Sequence, residues 1–161
     1  MHHDLRGTRV KSMSPEEIHR TALAACLILG FSSQYEYRKR PKRFDAAFEK
    51  LFERGITIDP IDDDEWFDNT FDVTIGHCDP DSLTIRIPNR IFVRACYGEQ
   101  NALMIVFHEL GHLLLQHKAL LHFSNQQASL WEDSEWQADH FAEVILEQLG
   151  YETKQLAFEF N

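Results

Sequence analysis

The chain has 161 residues, of which 43% are hydrophobic and 26% charged, and a formal net charge of −10. That length buries a core within one domain, and the composition is that of a globular protein. So large an acidic surplus excludes general nucleic-acid binding, which depends on neutralising phosphates with Lys and Arg. Cys26, Cys78 and Cys96 show no CxxC spacing and fit free thiols in a reducing compartment. The apolar run Ala22 to Gly30 has nine residues, too few to span a bilayer, and no signal-cleavage pattern follows it. The expectation is a cytoplasmic protein that does not enter membranes.

In chain order, residues 1–13 read as a flexible tail on a single domain covering 1–161. Ser14-Pro15-Glu16-Glu17 opens a helix: Ser14 caps it, Pro15 suits the first turn and Glu17 completes a capping box. The helix runs to about Leu29 and stops at Gly30. Five basic residues between Arg38 and Arg43 form a turn. Phe44, Phe48, Leu51 and Phe52 then recur at helical spacing, and Gly55 ends a second helix. The pattern changes to period two in Ile56 to Ile58, Phe71 to Ile75 and Leu83 to Ile87, which predicts three strands. Asp79-Pro80-Asp81-Ser82 is a turn that joins the last two as a hairpin, and Pro88 stops the third strand. Between Asp59 and Asp81 lie nine acids and no Lys or Arg. Such a run is either a solvated loop or an acidic face that attracts a basic protein.

Asn101 to His117 reads NALMIVFHELGHLLLQH, apolar nearly all round apart from Glu109 and the histidines. A helix of that kind is a central, buried one. His108 and His112 lie one above the other on one face, with Glu109 at its edge. This is the HExxH pattern, in which two neutral imidazoles bind Zn2+ and the neighbouring carboxylate is the general base. An unpaired carboxylate on a buried helix would cost several kcal/mol, about 2–7 even for a neutral polar group, and a bound cation removes that difficulty. Gly111 lets another element approach closely.

Zinc catalysis needs a third protein ligand and one open position. A Gly and a His three and six positions after His112 would supply it, but the chain has Leu115 and Lys118 there. His117 and His122 miss the His108/His112 face by a helical step and read as loop or surface residues. Downstream, Ser134 and Gln137 have capping-box spacing and start another helix. On its wheel Glu135, Ala138, Asp139, Ala142, Ile145, Leu146 and Leu149 share one stripe, so two carboxylates point inward. Glu135 as the third zinc ligand accounts for one. Asp139, accepting a ring N–H from a ligand histidine, accounts for the other. Glu132 is a rival ligand that falls before the cap. The fold class expected is α+β and zincin-like. A small sheet of about three strands packs with N-terminal helices, the buried HExxH helix and a C-terminal Glu-bearing helix.

His108-Glu109-Leu110-Gly111-His112, with Glu135, Ala138, Asp139, Phe141 and Ala142, resembles the ImmA/IrrE family of bacterial and phage regulatory metallopeptidases. The resemblance covers roughly residues 45–150, with specificity in those two motifs. It implies a cytosolic zinc peptidase that cleaves or controls a helix-turn-helix repressor or antitoxin, in stress responses or mobile elements. The chain departs from the family in having Gln137-Ala138-Asp139 where Glu-Ala-Asn is frequent, and in carrying no helix-turn-helix or sensory domain beside the peptidase unit. The expected reaction is peptide hydrolysis with Glu109 as base. His140 and His77 are candidates for a further oxyanion donor. The rival reading is a non-catalytic, zinc-containing regulatory or toxin-like module that binds a helix-turn-helix protein. Retention of Glu109 favours the enzyme, because a purely structural site needs no base.

Overall fold

Two helices open the fold in the computed structural model, which describes residues 3–31, 34–36, 38–118 and 127–153. Helix α1 (Pro15–Ile28) is capped by Ser14, whose Oγ accepts from Glu17 N at 3.2 Å, and buries Ile18, Ala22, Ala25 and Cys26. Helix α2 (Asp45–Glu53) buries Ala47, Phe48 and Leu51. The two stop just short of Gly30 and Gly55, whose φ of 87° and 86° a helix cannot continue through. Both therefore occupy the spans that capping and spacing predict.

The sheet has three strands, β1 (Thr57–Ile61), β2 (His77–Asp79) and β3 (Thr84–Pro88), in the order β1-β3-β2. β2 and β3 form an antiparallel hairpin about the expected turn, but its first strand is His77–Asp79 and not Phe71 to Ile75, while β1 runs parallel to β3. A parallel neighbour requires a crossover connection, and helix α3 (Asp63–Thr70) lies in it. The acidic run thus contains a helix that hydrophobic periodicity did not announce. Asp62 caps it, accepting from Asp64 N and Glu65 N at 3.1 and 3.2 Å, and Trp66 is its buried anchor. Phe71 to Ile75 is not a strand. Phe71 caps the end of α3 in the left-handed region, and Asp72 follows it there (φ 54° and 55°), so pairing starts only at His77. Pro88 pairs with Ile61 as the last residue of β3 instead of lying beyond it. A second unannounced helix, α4 (Asn89–Cys96), buries Ile91, Ala95 and Cys96.

Helix α5 (Gln100–Leu114) is the axis of the core, with Ala102 through Phe107, Leu110, Gly111 and Leu113 buried. It packs on α4, on the sheet and on helix α6 (Ser134–Gln148), which in turn packs on α1. At Gly111 a Cβ would lie 3.0 Å from Phe141 Cδ1 and 3.3 Å from Ala138 Cα. The missing side chain is therefore what sets the α5–α6 separation.

The segment before α1, read from the sequence as a flexible tail, makes backbone hydrogen bonds with the chain around the start of α6. Its described part, from residue 3, runs antiparallel past the start of α6. Val10 N donates to Glu132 O at 2.8 Å, Met13 N to Trp131 O at 3.1 Å and Ser134 N to Thr8 O at 3.1 Å. The fully buried Asp133 collects Arg6 N, Gly7 N and Glu135 N on its carboxylate. Asp133, not Ser134, is thus the cap of α6. Among the described residues no helix is long and apolar enough to cross a membrane.

Candidate metal centre

His108 and His112, one turn apart on α5, present their rings to the first turn of α6 with centroids 4.7 Å apart. His108 Nε2 lies 2.8 Å from Glu135 Oε2, and His112 Nε2 lies 3.3 Å from Glu135 Oε1. The two Nε2 atoms are 3.1 Å from each other. Zinc bonded at about 2.0–2.1 Å to a tetrahedral donor set separates its ligand atoms by about 3.3 Å. Two imidazoles and a carboxylate at these spacings fit such an ion after a shift of a few tenths of an ångström. His108, His112 and Glu135 are also the group among the described residues able to hold a metal ion.

Asp139, one turn beyond Glu135, places Oδ1 2.7 Å from His108 Nδ1 and Oδ2 2.9 Å from Arg6 Nη2. Burial alone would lower the His108 pKa, but the bonds to Asp139 and Glu135 outweigh it and lift it to about 10. The bonds to His108 and His112 hold Glu135 far below the usual carboxylate range, against the opposing effect of burial. The site thus attracts positive charge, as a cation site must.

The centre opens into a cleft of about 520 Å³ whose lining includes His108, Glu109, Glu135, Asp139, Arg6 and Val73. Glu109 faces the irregular segment before β2. A Cβ on Gly76 would fall 2.9 Å from Glu109 Oε1, so only bare backbone passes there. The thiol of Cys78, on β2, is pushed up to about 12 by burial and then by the Glu109 carboxylate. Among the cleft-lining residues Arg6 is the only Arg or Lys.

Comparison with protein families, with curated proteins and with solved structures gave no match. The residues themselves define the site.

His117 lies in the irregular segment after α5, as expected, but it is half-buried and joins the site. Leu114 ends α5, Gln116 turns through the left-handed region (φ 54°), and His117 swings back under His112. Its Nδ1 lies 2.8 Å from His112 Nδ1 and its Nε2 2.7 Å from Gln137 Oε1. Burial is the main cause that drops its pKa to about 4. Gln137 completes no capping box; it is fully buried, and its amide nitrogen donates to Lys11 O and Trp131 O at 2.9 and 2.6 Å. Glu132 pairs with Arg9 at 2.7 Å and accepts from Ser129 N, away from the centre. His140 stacks on Trp136 and His77 borders a different cavity, so neither lines the cleft. His122 lies outside the described residues.

Proposed function

We propose that the chain is a zinc-dependent peptidase of the zincin type, with His108, His112 and Glu135 holding the ion and Glu109 as general base. The observation that carries this reading is the convergence of two imidazole Nε2 atoms and one carboxylate at the wall of an open cleft that Glu109 also lines. A site meant only to brace the fold would be closed by a fourth protein ligand. Zinc bound there would act as a Lewis acid on the scissile carbonyl and bring the pKa of water toward neutrality. Glu109 takes the proton of the attacking water and hands it to the departing amine. Asp139 keeps the His108 ring in place through Nδ1–H, and Arg6 balances the charge of Asp139. Val73, Ile75, Met104 and Ile105 give the cleft apolar wall for peptide side chains.

The resemblance to ImmA/IrrE peptidases supports a protein substrate or partner, a helix-turn-helix repressor or antitoxin with a basic DNA-binding surface. The acidic segment supports it too, since Asp72 lines the cleft and the exposed Asp64, Glu65 and Asp68 lie on the helix before it. Glu109→Gln tests the chemistry because it keeps shape and removes the base. The variant is expected to retain about one zinc per chain and to bind the partner while losing hydrolysis by about two orders of magnitude or more. Full biological activity in the variant, with no hydrolysis by it or by the parent, would support a non-catalytic binding module instead, and undiminished hydrolysis would remove Glu109 as the base. No zinc in protein kept from chelators, and none taken up on addition, would remove the metal reading altogether.

A further inference from the structure

The His112–His117–Gln137 chain has a direction that the hydrogen-bonding groups impose. Gln137 is fully buried, and its amide faces two backbone carbonyls, Lys11 O and Trp131 O. Carbonyls only accept, so the side-chain nitrogen must point at them and Oε1 must point at His117. A reversed amide would set its oxygen against both carbonyl oxygens and leave its nitrogen facing the His117 ring. Oε1 accepts, so His117 Nε2, 2.7 Å away, carries a proton and donates it. The ring nitrogens of His117 face the Gln137 amide oxygen and the His112 ring rather than a carboxylate, so the neutral ring carries its one proton on Nε2 and a bare lone pair on Nδ1. His112 Nδ1 lies 2.8 Å from that lone pair and must be the donor. A neutral His112 protonated on Nδ1 leaves the Nε2 lone pair free. That atom is the one facing Glu135 and His108.

We propose that His117 and Gln137 are positioning residues that fix His112 in the tautomer whose Nε2 lone pair faces the metal centre. They do for His112 what Asp139 does for His108, with neutral groups in place of a carboxylate. The anchor of the chain is remote. Lys11 belongs to the segment before α1 and Trp131 to the turn before α6, so the packing of those two segments is transmitted to a ligand on α5. The proposal rests on reading His112 as a metal ligand, but its first test needs no metal.

In metal-free protein at about pH 8.5, where an ordinary imidazole is neutral, long-range nitrogen-15 correlation spectra show which ring nitrogen is protonated. The expected result is Nδ1–H for His112 and Nε2–H for His117. His117→Phe keeps a planar ring but removes the acceptor. It is expected to shift His112 toward Nε2–H and to weaken zinc binding about 10- to 100-fold. His117→Asn puts an amide oxygen close to the Nδ1 position, and is expected to restore Nδ1–H with most of the affinity. Nε2–H on His112 in the parent protein would overturn the proposal, and this reading stands even where a variant fails to fold. So would an unchanged tautomer in His117→Phe, or an equal loss of affinity in the Phe and Asn variants. Failure of the parent protein to take up zinc would count against the metal centre, whereas the tautomer judges the relay.

Discussion

His108 sets the proton balance of the site. Its pKa is about 10 when folded against about 6.5 for a free imidazole. A raised histidine stabilises the fold fully below about pH 6.5, and that contribution is lost as pH climbs through about 10. Metal-free protein should therefore lose thermal stability steadily between about pH 7 and pH 10, and Asp139→Asn should flatten the decline. A melting temperature in the parent that is independent of pH over that window would refute the charge assignment. Zinc needs the neutral ring, so uptake at about pH 7.5 should release close to one proton. Calorimetry in buffers of different ionisation enthalpy measures that number directly, and a value near zero would mean that His108 is already neutral. Glu135 and Asp139 were legible in the sequence because a charge on an apolar stripe needs a partner. His117 was not, since it sits off the helical step from His112 and only the left-handed turn at Gln116 brings it back. Nothing local marks Arg6 either: its place in the cleft follows from contacts with residues more than a hundred positions away.

Among the elements, the α5–α6 pair decides the geometry of the centre, because two of the proposed ligands ride on one helix and the third on the other. Gly111→Ala tests how closely that spacing is set. Alanine improves helix propensity by about 1 kcal/mol, but its methyl would meet the Phe141 ring at 3.0 Å and the Ala138 backbone at 3.3 Å. Overpacking in a core costs about 1–3 kcal/mol, so the net change should be destabilising by about 1 kcal/mol. Widening the gap also draws Glu135 away from the imidazoles, so zinc affinity should fall together with the denaturation midpoint. Adding Phe141→Leu should recover part of both. A Gly111→Ala variant with unaltered zinc affinity would show that the helices have slack. Helices α1, α2, α5 and α6 could be read from caps and periodicity. Helices α3 and α4 could not, because each is short and α3 buries only Trp66. The run Phe71 to Ile75 alternates like a strand, yet its backbone turns left-handed at Phe71 and Asp72, a tertiary outcome with no glycine to announce it.

Across the whole molecule, the −10 net charge is not spread as the sequence alone suggests. Asp63 and Asp72 lean on Arg90, and Asp59 and Asp79 lie near Arg86, so the acidic stretch is partly neutralised within the fold. Asp62 is occupied as a helix cap. What remains for a basic partner is Asp81 in the β2–β3 turn and, on α3, the exposed set Asp64, Glu65 and Asp68. Changing the three on α3 to Asn, Gln and Asn should slow association with a basic helix-turn-helix protein about tenfold at low salt. At about 0.5 M salt, where screening shortens to a few ångströms, the difference should nearly vanish. Stopped-flow rates that ignore both salt and the substitutions would reduce the stretch to a solvated surface. The antiparallel run of residues 6–13 past the start of α6 also has a consequence in time. Arg6 and Asp139 are 133 residues apart, so the first of them emerges from the ribosome long before its partner exists. At about 5–20 residues per second, His108 and His112 wait for seconds with no Glu135 to complete the set and no Gln137 to hold His117. A growing chain offers passing ions only a pair of imidazoles, so the choice of metal falls to the finished protein.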